Sequence, residues 1–158
     1  MSKAIGDALP YEQRKTLADL NFRAGSVFKF YDPIAKKEKR LILIGIRYDR
    51  IMVAFLRINT EINAHLFPTE ALKNEHLILE YDEALRPFLT HTSYVNCSIF
   101  LEQKADILYN TLIEKPGIHI GVLDNNDLTN IKHKVATSRL LSSSQKKNFG
   151  LFFSPSKK

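Results

Sequence analysis

Two nearly continuous apolar segments, Arg40 to Tyr48 and Arg50 to Ile58, meet at the corner Tyr48-Asp49-Arg50. Their cores, Leu41–Ile46 and Ile51–Leu56, have the length of strands, and neither alternates apolar with polar as a half-exposed strand does. Two such strands joined by a tight turn make a hairpin buried on both faces. A chain built around that hairpin needs cover above and below it, which a closed or strongly coiled sheet provides.

The flanking segments agree with a mainly β domain carrying helices, an α+β chain. Residues 10–20 read as a short helix opened by Pro10, and Ser26–Tyr31 as a first strand with Phe28 and Phe30 on one face. Asp32-Pro33 marks a turn and Ile34–Lys39 a polar, basic loop. Pro68–Lys73 has room for one helical turn, His76–Tyr81 for a fourth strand, and Thr92–Leu101 for a further one. Arg86-Pro87 breaks any regular element between them. Lys104–Glu114 is a helix ended by Pro116-Gly117, and Asp124 caps a last helix over about 125–138. Ser142-Ser143-Ser144 reads as a linker. The expected organisation is an arm with a short helix over 1–23, the β domain over 24–141, and a flexible basic tail over 142–158.

With 158 residues, 44% of them apolar, the chain suits one domain and leaves no room for a second. No apolar run approaches the length of a membrane span, and MSKAIGDALPYEQRK has no apolar stretch of signal-peptide length. The chain is therefore expected to be cytoplasmic and without membrane contact. Cys97 is the single cysteine, so no intramolecular disulfide and no cysteine-rich zinc site is available.

The net charge of +6 is unevenly placed. Residues 139–158 hold five bases and no acid, leaving the body at +1. Within the body, residues 29–57 carry +5 and residues 61–83 carry −5. A basic surface at 29–57 can attract phosphate, or the two segments can neutralise each other in the fold.

Signals for chemistry are sparse. The histidines at 65, 76, 91, 119 and 133 lack the spacing that puts two ligands on one helical face, so no metal or other cofactor is expected. No glycine-rich phosphate loop is present. Cys97 with His91 could serve as a nucleophile and its base, yet Cys97 lies in an apolar strand where a small buried residue is the usual occupant. Arg40 and Thr60 are the more informative pair. Antiparallel pairing joins the start of one strand to the end of the next, placing both at one rim. An arginine fork and a hydroxyl there suit a phosphorane-like transition state; the plainer reading is a solvated loop cation and a turn residue.

Gly25-Ser-Val-Phe-Lys-Phe, Lys39-Arg40-Leu-Ile-Leu-Ile, the stretch Ile51–Thr60, and Thr92-Ser-Tyr-Val-Asn-Cys-Ser-Ile-Phe-Leu-Glu followed by a helix together resemble the MazF/PemK family of toxin-antitoxin endoribonucleases. The resemblance spans about residues 24–115. It implies a small SH3-like barrel, a homodimer, an antitoxin partner, and metal-independent cleavage of single-stranded RNA by its own 2′-hydroxyl. By position it implies Arg40 and Thr60 as the catalytic pair, with Lys37, Lys39 and Arg57 holding RNA.

A second expectation comes from the tail. Phe149, Leu151, Phe152 and Phe153 form an apolar cluster beyond the serines, with a spacing similar to peptides that bind DNA sliding clamps. Such a cluster either docks on a partner or folds back onto its own domain. Partner docking makes the chain a non-catalytic SH3-like interaction module.

Overall fold

A computed structural model describes residues 8–32 and 36–152. Six antiparallel strands form one strongly curled half-barrel sheet: β1 (Ser26–Asp32), β2 (Lys37–Ile46), β3 (Met52–Asn59), β4 (His76–Leu79), β5 (Ser93–Lys104) and β6 (His119–Val122), in the order β4-β5-β3-β2-β1-β6. The flanking helices are α1 (Tyr11–Asn21), α2 (Glu70–Lys73), α3 (Ala105–Glu114), α4 (Asn125–Thr137) and α5 (Ser143–Asn148).

The central hairpin is covered on both faces, as its sequence requires. Ile42, Ile44, Ala54, Leu56 and Ile58 face one cluster with Val95, Cys97, Ile131 and Val135. Leu43, Val53 and Phe55 face the other, with Phe28, Ala18, Leu108 and Leu112. Residues between them alternate faces with the pleat, so the apolar run is continuous because both sides are dry. The turn closes with Arg50 at φ 64° and the Asp49 carboxylate accepting from the Ile51 amide.

β5 carries a large irregularity in its pairing with β3. Its residues Leu101 and Asn96 pair with Phe55 and Arg57, so Cys97–Phe100 bulge out of the ladder opposite Leu56. A bulge of that size bends its strand and deepens the local twist. Inside it the Asn96 carboxamide oxygen accepts from the Ser98 amide and hydroxyl at 2.9 and 2.6 Å, and the Cys97 amide donates to the Glu75 carbonyl.

Three sequence expectations change. Lys37–Lys39 of the expected loop belong to β2, which begins at Lys37 paired with Asp32; Pro33, Ile34 and Ala35 lie outside the described residues. His119–Val122, read as connection, is an edge strand beside β1. The largest correction concerns the tail. Ser142 opens α5 through a capping box with Gln145, and Gly150 at φ 70° closes it, with Leu151 N–H donating to the Lys146 carbonyl and Gly150 N–H to that of Lys147. Residues 142–152 are thus part of the packed body and not a linker. Of the two alternatives for the apolar cluster, Phe149 and Leu151 take the fold-back one and not the partner contact: they are 6% and 4% exposed in the domain's own core. Phe152 is exposed, and Phe153 lies outside the described residues. The tail's charge is also partly structural, because the Lys146 ammonium donates to the Ala136 and Ser138 carbonyls at the end of α4.

Candidate functional site

Where β2 begins and β3 ends, the bend of β5 leaves a cleft of about 450 Å³. Lys37, Lys39 and Arg40 from β2, Arg57 from β3, and Thr60 just beyond it all line this cleft. His76 of β4, Asn96 of β5, and the Asn63, Leu66 and Phe67 side of the following loop complete it. The residues singled out from the sequence as catalytic or RNA-contacting therefore border one concavity.

Arg40 is positioned from the far side of the fold. Its Nε donates to the Phe88 carbonyl at 3.0 Å. That carbonyl belongs to the loop over 82–92, which Arg86 clamps: its fork donates to both Asp127 carboxylate oxygens at 2.8 and 2.9 Å and to the Glu80 carbonyl at 2.8 Å. The Arg86 guanidinium holds the Asp127 carboxyl below the usual carboxylate range. Both side chains are largely shielded, so removing one leaves the other charge poorly solvated. Arg86→Ala is expected to lose about 3 kcal/mol in urea unfolding at neutral pH. A depressed carboxylate stabilises the fold above its unfolded pKa of about 3.9 and ceases to as pH falls through the folded value, so the deficit should shrink below about pH 4. A variant as stable as its parent at neutral pH would show that the clamp does not hold the loop.

Arg57, Asn96 and His76 lie in register across β3, β5 and β4. The Nε of Arg57 is buried without a hydrogen-bond partner. His76 is 6% exposed, its Nδ1 lies 3.2 Å from the Lys73 carbonyl, and Phe67 packs edge-on against its ring at 4.5 Å. A carbonyl only accepts, so Nδ1 carries the hydrogen and the lone pair sits on Nε2, which is buried and unpartnered. Burial lowers the His76 pKa, outweighing the Lys73 and Leu72 carbonyls and Glu75, which raise it. At neutral pH the ring is therefore an uncharged base.

Thr60 is exposed beside this row. Of the acidic segment, Glu61 lines the cleft, whereas Glu75 takes hydrogen bonds from the Ser138 hydroxyl and the Arg139 amide, and Glu70 faces Lys73. Lys29 pairs with Glu38 and Arg47 with Asp49, both inside the basic segment. The bases at 37–40 and 57 thus meet Glu38 and Glu61 at the cleft and leave it net positive.

Other candidates fall away or stay apart. Cys97 is fully buried, its thiol pushed up to about 12 chiefly by burial, so it holds no thiolate at neutral pH; His91 bonds the Thr90 hydroxyl instead. Among the described residues no three His, Cys, Asp or Glu side chains converge as metal ligands, and no helix is long and apolar enough to cross a membrane. His76 and Asn96 join the site without having been selected from sequence, because only the strand pairing sets them beside Arg57. Compared with known proteins, the chain matches no family model, no curated protein and no solved structure.

Proposed function

We propose that the cleft binds single-stranded RNA and cleaves it without a metal, the chain being a MazF/PemK-like endoribonuclease on an SH3-like barrel. The observation that carries this reading is the meeting of Lys37, Lys39, Arg40, Arg57 and Thr60 around one net-positive hollow. Cleavage of this kind needs three things: a proton acceptor for the 2′-hydroxyl, cations for the charge gathering on the phosphate, and a grip on the neighbouring backbone. His76 Nε2 is the acceptor. The Arg57 guanidinium faces the non-bridging oxygens, the Thr60 hydroxyl donates to one of them, and Lys37, Lys39 and, from the opposite face at the sheet's end, Arg40 hold flanking phosphates. As the 2′-oxygen bonds to phosphorus the bond to the 5′-oxygen breaks, that oxygen takes a proton from water, and a cyclic phosphate end remains. The same family likeness brings the expectations of a homodimer and of an antitoxin protein as partner.

Incubation of the protein with long single-stranded RNA in chelator tests the reading. Products should end in 2′,3′-cyclic phosphate, Arg57→Ala should slow their formation about a hundredfold, and Arg40→Ala should weaken RNA binding. RNA left intact at high protein concentration would overturn it. The alternative of an interaction module presenting its tail lacks support, since Phe149 and Leu151 are core residues.

A further inference from the structure

On the other side of Lys39 and Arg57 from the cleft lies a second hollow of about 380 Å³. Both side chains border the two hollows, so they form a shared wall. The second one lies on the sheet face that carries Phe28, Leu43 and Phe55, beyond the part covered by α1 and α3. Its floor is aromatic: Phe30 and Phe55 meet edge to face at 5.9 Å, and Tyr31, 62% exposed, stands at its margin. Two polar atoms at this hollow are buried and lack hydrogen-bond partners, the Gln103 carboxamide oxygen and Arg57 Nε. One accepts and the other donates. The unpaired acceptor of Gln103 makes the hollow a poor second phosphate site.

The half-buried ring of Phe30 for stacking, with one acceptor and one donor unpaired beside it, matches an uncharged planar heterocycle that carries both an N–H and a lone pair on its edge. We propose that this hollow is a nucleobase subsite, taking one unstacked base of the strand whose phosphate lies in the adjoining cleft. Gln103 accepts from the base edge, Arg57 bridges base and phosphate, and Phe30 covers a face of the ring. The inference rests on the RNA reading of the cleft, and it deepens that reading by assigning base contact to residues outside the catalytic group.

Single-stranded DNA homopolymers separate the two claims, because they lack the 2′-hydroxyl and cannot be cleaved. Fluorescein-labelled oligodeoxyadenylate, oligodeoxycytidylate and oligothymidylate are titrated against an abasic tetrahydrofuran oligomer of equal length. At least one base-bearing strand should bind about tenfold tighter than the abasic one. Phe30→Leu and Gln103→Leu should bring it down to the abasic level while leaving the abasic strand's own affinity unchanged, whereas Arg40→Ala should weaken both. Equal binding of base-bearing and abasic strands, with Arg40→Ala weakening each, overturns the subsite and leaves the phosphate cleft standing. Failure of every strand, and of RNA itself, to bind overturns both. An advantage for bases that survives Phe30→Leu and Gln103→Leu, or sedimentation showing that either variant dissociates a dimer, overturns the subsite by locating base contact elsewhere or by covering this face with a second copy.

Discussion

Phe149→Ala should lower the stability of the domain by about 4 kcal/mol, among the largest losses available to a single truncation. The side chain is 6% exposed, its ring meets Phe100 edge-on at 5.5 Å, and it belongs to the same cluster as Ile44, Leu56 and Ile131. Its backbone is equally close to the sheet: a Cβ on Gly45 would stand 3.0 Å from the Phe149 Cβ and 3.1 Å from its carbonyl oxygen, so the absent side chain at 45 is what admits the segment. The Tyr48 amide donates to the Asn148 carbonyl at 3.1 Å and ties α5 to the end of β2. Loss of the ring removes a large apolar surface and leaves a hole that these backbone contacts prevent from closing. Phe152→Ala is the matched control, since that ring is 53% exposed and its removal should change stability by less than about 0.5 kcal/mol. Chemical unfolding of both variants decides the matter. Equal stability of Phe149→Ala and parent would return the segment to the role of a detachable ligand.

The contrast between the hairpin and α5 explains what could be read in the sequence. Apolar continuity over 41–46 and 51–56 requires burial on both faces whatever the neighbours are, so the central strands and the curled sheet were legible. The segment Ser143–Asn148 has no apolar periodicity of its own; it is helical because Ser142 and Gln145 cap one end, Gly150 closes the other, and the two apolar residues that follow dock on the sheet. Propensity alone does not hold six polar residues in a helix. β6 escaped for a related reason, as four residues containing Gly121 become a strand only by pairing with β1. At the site, Arg40 and Thr60 were legible from hairpin geometry, which needs only two consecutive strands. His76 and Asn96 were not, because their position depends on a bulge of four residues in β5 that shifts the pairing with β3. The clamp from Asp127 through Arg86 to the Phe88 carbonyl joins residues 41 positions apart, and nothing local announces it.

His76→Gln should reduce RNA cleavage about a thousandfold while leaving RNA binding near the parent value, because the substitution removes a proton acceptor and no cation. The parent should lose activity on the acid side with a midpoint below about 6.5, the ordinary histidine value, since burial lowers the pKa and the proposed reaction needs the neutral ring. Glu75 opposes that shift and Lys134 adds to it, so Lys134→Ala should move the acid limb slightly upward. Stability has its own acid dependence. His76 and His119 are both held neutral by burial, so their contribution is present above about pH 6.5 and is lost as pH falls through their folded values. Rates must therefore be compared where circular dichroism shows the fold intact. Nε2 is buried in the free protein, so substrate reaches it only after the wall around the ring gives way, and Phe67, edge-on against that ring, is part of the wall. Phe67→Ala should then raise the cleavage rate or lower the RNA concentration needed for half-maximal rate, whereas a purely structural His76 would make the same truncation costly to stability and silent in kinetics. Cleavage by His76→Gln at the parent rate, with an unchanged acid limb, would remove His76 from the reaction and leave Arg57 and Thr60 to act with water as the base.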